Sequence, residues 1–274
     1  MSRIATRFEQ LRRAKKKALV TFVTAGDPQI ESTLATMHAL VEAGANIIEL
    51  GVPFSDPMAD GPVIQFANER ALANGVTMSD VFDLVKRFRA SDSDTPVVLM
   101  GYLNPIEAMG YERTAQQASA AGVDGFIVVD APPEESAELQ AALRGQQLDL
   151  IFLIAPNTNE ARIRKISALG SGFVYYVSLK GVTGAGHLDV AAAQEKVAQI
   201  KTITDLPVAV GFGISDGTSA AQVAEVSDAV VVGSALINRI VERLEDSAGI
   251  PAHVGDLVRT MRAAMDANTV DETD

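Results

Sequence analysis

The chain has 274 residues, 47% hydrophobic and 21% charged, enough to enclose one large core or two small ones. A formal net charge of -12 argues against a binder of phosphate backbones, and with no cysteine there are no disulfides, thiolate nucleophiles or Cys-ligated metals. No apolar run approaches the ~20 residues that cross a bilayer, and the N-terminus MSRIATRFEQLRRAKK lacks the apolar core of a signal peptide, so a cytoplasmic protein is expected.

Residues 3–16 carry Ile4, Phe8 and Leu11 at helical spacing, which predicts an extra amphipathic helix across one end of the domain. The basic run 12–17 reads as its solvated C-terminal end rather than a nucleic-acid site. A strand over 18–24 and a helix over 31–43, ended by Gly44, follow. The second strand, 46–52, is the most informative: Ile47, Glu49 and Gly51 fall on one face, Ile48, Leu50 and Val52 on the other. An ionised carboxylate buried without partners is costly, so Glu49 is expected near the open end of this strand, within reach of ligand or water.

Helical pattern over 62–73 and 79–89, the latter opened by Ser79 and Asp80, precedes a third strand over 96–102. A helix over 112–121, a strand over 125–130 and the helix of APPEESAELQAALRG come next, then a strand over 150–155 and the helix of APNTNEARIRKISALG. Strands over 173–178, 207–213 and 229–233 alternate with helices near 191–202, 219–226 and 235–246. A last helix covers 251–267, and about 268–274 reads as a disordered tail. Eight Val/Ile/Leu-rich strands, each followed by helix, predict an α/β fold: a single (β/α)8 TIM-barrel domain over 1–274 with an added N-terminal helix. An open doubly wound sheet competes, but no GxGxxG follows the first strand and no GxxxxGK[ST] occurs.

Such barrels build their sites where the strands end. That rule gathers Phe22, Thr24, Glu49, Tyr102, Asp130 and Tyr175 at one mouth, with a loop stiffened by Pro53, Pro57 and Pro62 around Asp56 and Asp60. Phe22, Tyr102 and Tyr175 are candidates for an apolar slot, and Met100 shares a face with Tyr102. The pattern leaves open whether Phe126 or Ile127, and Phe152 or Leu153, points inward. VGFGISDG and VVGSA place glycines where chain turns into helix, a setting that holds a phosphate. Gly213, Gly233 and Ser234 are the expected amide ligands, helped by Gly184, with Gly211 and Phe212 in the same wall. The connection SLKGVTGAGHLD reads as a mobile lid in which Thr183 offers a hydroxyl. His38, His187 and His253 are scattered, so no metal site is expected.

The run LGVPFSDPMADGPVIQ, residues 50–65, resembles the hallmark of tryptophan synthase alpha subunits, and the resemblance extends over about 8–262. It implies a lyase of L-tryptophan biosynthesis that cleaves indole-3-glycerol phosphate to indole and glyceraldehyde 3-phosphate by a retro-aldol reaction. It assigns proton shuttling to Glu49 and acceptance of the indole N–H to Asp60, with Thr183 meeting Asp60 when the lid closes. Physical chemistry supports the division, since a desolvated Glu gains pKa and acts as an acid, while a loop Asp near water stays ionised. The resemblance further implies no cofactor in this chain and a beta-subunit partner that uses pyridoxal phosphate, receives the indole and forms an alpha2beta2 heterotetramer. Pro53, Phe54, Asp56, Pro57, Asn104 and Pro105 are rigid loop features suited to that contact, or equally to loop packing. The only ligand expected is a small phosphorylated substrate, with neither nucleic acid nor membrane. Two rivals are a Schiff-base aldolase using Lys180 and a phosphate-binding regulatory barrel without activity.

Overall fold

In the computed structural model, which describes residues 2–177, 190–211 and 213–267, alternate strand residues sort into two cores. Strand β1 (Ala18–Thr24) sends Ala18 and Val20 to an inner core and Leu19 and Val23 to an outer one. Strands β2 (Ile47–Gly51), β3 (Val97–Gly101) and β4 (Gly125–Val128) repeat this, with Ile47, Val98 and Ile127 inside and Ile48, Leu99 and Phe126 outside. Each apolar side chain fully buried in this way contributes about 1.5–3 kcal/mol. A one-residue slip of β2 would swap Ile48 for Glu49 on every contact, so the pattern fixes the register.

All strand pairs are parallel, in the order β5-β4-β3-β2-β1-β9-β8-β7-β6. The two ends of that order, β5 (Asp149–Ile151) and β6 (Leu153–Ile154), are separated in sequence by Phe152 alone, so the sheet closes on itself. The expected fifth strand is therefore present but broken, its first half paired with β4 and its second with β7 (Val174–Val177). Ile151 and Leu153 pack on the inner core and Phe152 on the outer, which answers the second open alternation. β8 (Val208–Gly211) and β9 (Ala229–Val232) complete the barrel.

Helices cover the outer core: α2 (Ile30–Glu42), α3 (Pro62–Ala73), α4 (Met78–Arg89), α6 (Tyr111–Ala121), α7 (Ala137–Gly145), α8 (Glu160–Leu169), α9 (Val190–Lys201), α10 (Gly217–Val226), α11 (Ser234–Val241) and α12 (Ile250–Ala267). The start of α4 differs from expectation. Its cap is Thr77, in a reciprocal capping box with Asp80, rather than Ser79. A short helix, α5 (Leu103–Met109), was not expected, because Pro105 reads as a loop signal. Proline is tolerated there, since the first-turn amides have no partner within a helix.

The extra helix α1 (Arg3–Arg13) plugs the N-terminal end of the barrel, burying Ile4 and Leu11 in the inner core and setting Phe8 5.9 Å from the Phe173 ring. It stops three residues before the predicted end, and Lys15 just beyond it has a φ of 54°. At the same end three side chains pin neighbouring strands: Asn46 accepts from the Leu19 amide, Asp124 from Val97 and Asp228 from Val208, at 2.8–2.9 Å. Asp124 also holds Arg3 at 3.0 Å and the half-buried Arg89 at 2.8 Å. Asp124→Ala takes its carboxylate partner from the half-buried Arg89 and its acceptor from the Val97 amide, and the expected loss is about 2–4 kcal/mol. Urea unfolding of the variant checks this, and a change below about 1 kcal/mol would contradict it.

Candidate active site

Parallel pairing sets Phe22 of β1 opposite Glu49 of β2, and their shared parity turns both toward the barrel interior. Glu49 is 1% exposed, and its Oε2 has no hydrogen-bond partner among the described residues. It sits third in a five-residue strand, so it is covered rather than open to solvent as expected. Burial pushes its carboxyl from an ordinary 4.5 up to about 8, and the nearby negative charge of Asp60 adds to the rise. At neutral pH this group holds its proton and is a competent general acid. Tyr175 is half-buried close by, its hydroxyl pushed well above its usual range by desolvation and then by Glu49. A Cβ on Gly211 would lie 2.5 Å from that hydroxyl, so only glycine leaves room for Tyr175 there.

Asp60 arrives from the loop between β2 and α3. Tyr102, following β3, fixes this loop: its hydroxyl accepts the Ala59 amide at 3.0 Å and donates to the Asp60 carboxylate. Asn68 of α3 approaches Oδ2 of Asp60 at 3.5 Å, and Gln65 donates to the Asp60 carbonyl at 2.7 Å. Burial raises Asp60 above the ordinary 3.8, and the bonds from Tyr102 and Asn68 pull it back toward the ionised form. The two acids therefore differ in kind. Among the described residues Glu49 Oε2 has no donor, whereas the Asp60 carboxylate has two.

A small pocket joins Phe22, Asp60, Met100 and Tyr102 in one wall. Ile64, Asn68 and Val129 line it as well and escaped the sequence reading. Asn68 had a legible signal, as an amide set among Ala67 and Ala71 on the buried stripe of α3. Asp130 lies beside the mouth, where its Oδ1 caps α5 by accepting the Leu103 amide at 2.8 Å.

The anion end divides unequally between its two expected loops. Helix α10 is closed by its own carboxylate, Asp216, in a capping box with Ser219. Helix α11 begins at Gly233 and Ser234 with no side-chain cap and no acid in its first turn, so its starting amides suit an anion. A Cβ on Gly233 would lie 3.6 Å from Phe22, placing this end against the apolar wall. Gly213 is exposed beyond β8. Lys180, Thr183, Gly184 and Phe212 lie outside the described residues.

Of the predicted partner-facing residues, Asp56 and Asn104 are exposed, Phe54, Pro57 and Pro105 half-buried, and Pro53 buried. Phe54 packs on Tyr102 with ring centroids 5.2 Å apart, which connects that surface to the pocket. Among the described residues no group of three or more His, Cys, Asp or Glu is arranged to hold a metal, and no helix is long and apolar enough to cross a membrane.

Comparison with known proteins agrees with this geometry. The family model described as tryptophan synthase alpha chain matches residues 8–266. The chain is 61% identical to the tryptophan synthase alpha chain of Thioalkalivibrio sulfidiphilus, over 97% of this chain and 100% of that protein. Among solved structures it resembles tryptophan synthase subunit alpha from Legionella pneumophila, with a TM-score of 0.92, 46% identity and coverage of 97% and 99%. A chain of the tryptophan synthase complex from Pyrococcus furiosus matches with a TM-score of 0.81 and 39% identity, covering 90% of this chain and 99% of that one.

The environment of Glu49 has a consequence for stability. Between an ordinary 4.5 and about 8 the folded chain keeps a proton that the unfolded chain has released, so stability falls as pH rises through this window. Glu49→Gln has no such proton to lose. It should gain on wild type by on the order of 1 kcal/mol per pH unit across the window and level off above it. Chemical denaturation at a series of pH values measures the difference, and a constant offset would contradict the assigned burial.

Proposed function

The chain belongs to the tryptophan synthase alpha chain family, and from that premise we propose that Glu49 and Asp60 divide the acid–base work of its reaction. The family cleaves indole-3-glycerol phosphate to indole and glyceraldehyde 3-phosphate and passes the indole to a beta subunit, and the chain is an enzyme of tryptophan biosynthesis. The observation that carries the assignment is the contrast between a buried Glu49, whose Oε2 has no hydrogen-bond partner among the described residues, and the nearby, hydrogen-bonded Asp60.

In this reading the phosphate rests on the starting amides of α11 at Gly233 and Ser234, with Gly213 and Gly184 beside them. The indole ring lies between Phe22, Met100 and Tyr102, above Tyr175. Glu49 delivers its proton to indole C3, which places positive charge on the ring nitrogen. Asp60 accepts the N–H and stabilises that charge. The Glu49 carboxylate then removes the proton of the side-chain hydroxyl next to the ring. The carbon–carbon bond breaks, its electron pair restores the aromatic ring, and the hydroxyl carbon leaves as the aldehyde. One carboxyl thus gives a proton and takes one back, and the enzyme ends as it began. The resemblance to the family further assigns Thr183, which lies outside the described residues, as a hydroxyl partner of Asp60.

No cofactor is assigned to this chain; pyridoxal phosphate belongs to the beta-subunit partner in an alpha2beta2 assembly. Pro53, Phe54, Asp56, Pro57, Asn104 and Pro105 face that partner, Pro53 by shaping the loop from beneath. A single cytoplasmic domain over 1–274 completes the reading, supported by the one closed sheet.

Indole release from indole-3-glycerol phosphate, followed with the beta subunit present, tests the assignment. Glu49→Gln and Asp60→Asn should each lower kcat by about 10²–10⁴-fold, and the wild-type rate should decline above about pH 8, where Glu49 loses its proton. Release that survives either substitution near the wild-type rate would remove that residue from the mechanism.

A further inference from the structure

Helix α3 buries Ala67, Asn68 and Ala71, so Asn68 is the one polar side chain among the buried residues of this helix. A buried amide costs free energy unless it is hydrogen-bonded. Asn68 is 4% exposed, and its Nδ2 points at Oδ2 of Asp60 in the pocket wall that both share with Tyr102. At 3.5 Å the contact is long, as hydrogen bonds around catalytic groups often are before a ligand tightens them.

The helix that carries Asn68 is itself held in place. Three residues earlier, on the same face, Gln65 grips the Asp60 carbonyl at 2.7 Å. Toward the other end, Arg70 makes a two-pronged pair at 2.7 and 2.9 Å with Asp27, whose side chain is fully buried between β1 and α2. One anchored helix therefore holds both the backbone and the side chain of Asp60.

We propose that Asn68 is a positioning residue for the cleavage: its side-chain amide keeps the Asp60 carboxylate in the orientation and charge state that accept the indole N–H. The inference rests on the reading of Asp60 given above. Among the described residues, the groups facing Asp60 are Glu49 from β2 and Tyr102 after β3, with Asp130 behind Tyr102. Burial disfavours the charge on Asp60, Tyr102 favours it, and Asn68 is the second donor. An amide does not titrate in this range and donates at every pH. Without it, burial gains on the remaining donor, and Asp60 takes up its proton at higher pH.

The test is the pH dependence of kcat and KM for indole-3-glycerol phosphate from about pH 5 to about pH 9, with the beta subunit present. Wild type, Asn68→Leu, Asn68→Asp and Asp60→Asn are compared. Asn68→Leu removes the donor and keeps the volume; its kcat should fall on the order of 10-fold, less than the about 10²-fold that a 1 Å misplacement produces. KM should stay within about two-fold, and the acid limb should move up by roughly half a pH unit or more, leaving the alkaline limb in place. Asn68→Asp keeps the shape but sets a second carboxyl against the first, and should move the acid limb further in the same direction. It also decides the matter if Asn68→Leu fails to fold.

An acid limb unmoved in both variants would make Asn68 a packing residue, and a loss confined to KM would make it a substrate contact; either overturns the proposal. Asp60→Asn separates the two levels of inference. Wild-type cleavage by Asp60→Asn would sink the reading of Asp60 and this proposal with it. Inactive Asp60→Asn beside a wild-type Asn68→Leu profile would sink the proposal alone.

Discussion

A carboxyl group on the inner face of β2 is the constraint around which the rest of this barrel is arranged. Glu49 is enclosed by the same alternation that buries Ile47, so the packing that builds the core also removes water from the acid. Leaving it ionised would be expensive, and the protein resolves the cost by leaving it protonated up to about pH 8. The two residues closest to its chemistry follow from that choice. Tyr175 is admitted beside it only because position 211 is glycine, and Asp60 adds the charge that holds the proton on.

Asp60 needs the opposite treatment, and the structure supplies it from a helix rather than from the barrel. Helix α3 begins at Pro62 directly after the acid loop, grips Asp60 through Gln65 and Asn68, and is fastened to the β1–α2 connection by the Arg70–Asp27 pair. A buried pair of this kind is weak evidence of stability but strong evidence of a fixed geometry, since removing one partner strands the other. Tyr102 closes the arrangement from the next strand, bonding the loop at Ala59 and Asp60 while its ring packs on Phe54. The Phe54 surface is thus in direct contact with the donor that steadies Asp60.

The parts legible in the sequence are those governed by a repeating pattern. Period-two alternation put Glu49 and Ile48 on opposite faces of β2, and the strand count pointed to the barrel, because each residue's side depends only on its immediate neighbours. Features that depend on distant partners were not legible. Helix α5 takes its cap from Asp130, 27 residues away, so no local cap betrayed it. The break at Phe152 reflects a strand that must pair with β4 on one side and β7 on the other. Glu49 could be placed on a face, but how deeply it lies is set by other strands and emerged only in three dimensions. Asn68 is an intermediate case: the apolar stripe of α3 marks it as a buried amide, but its partner, Asp60, emerges only in three dimensions.

The protonation state of Glu49 can be read directly from the carboxyl C=O stretch in infrared difference spectra of wild type against Glu49→Gln, taken across a pH series. The account predicts a protonated-carboxyl band in wild type at neutral pH, absent from the variant, that disappears with a midpoint of about 8. A band that vanishes near the ordinary 4.5 would show an ionised Glu49 and contradict its role as the resting acid.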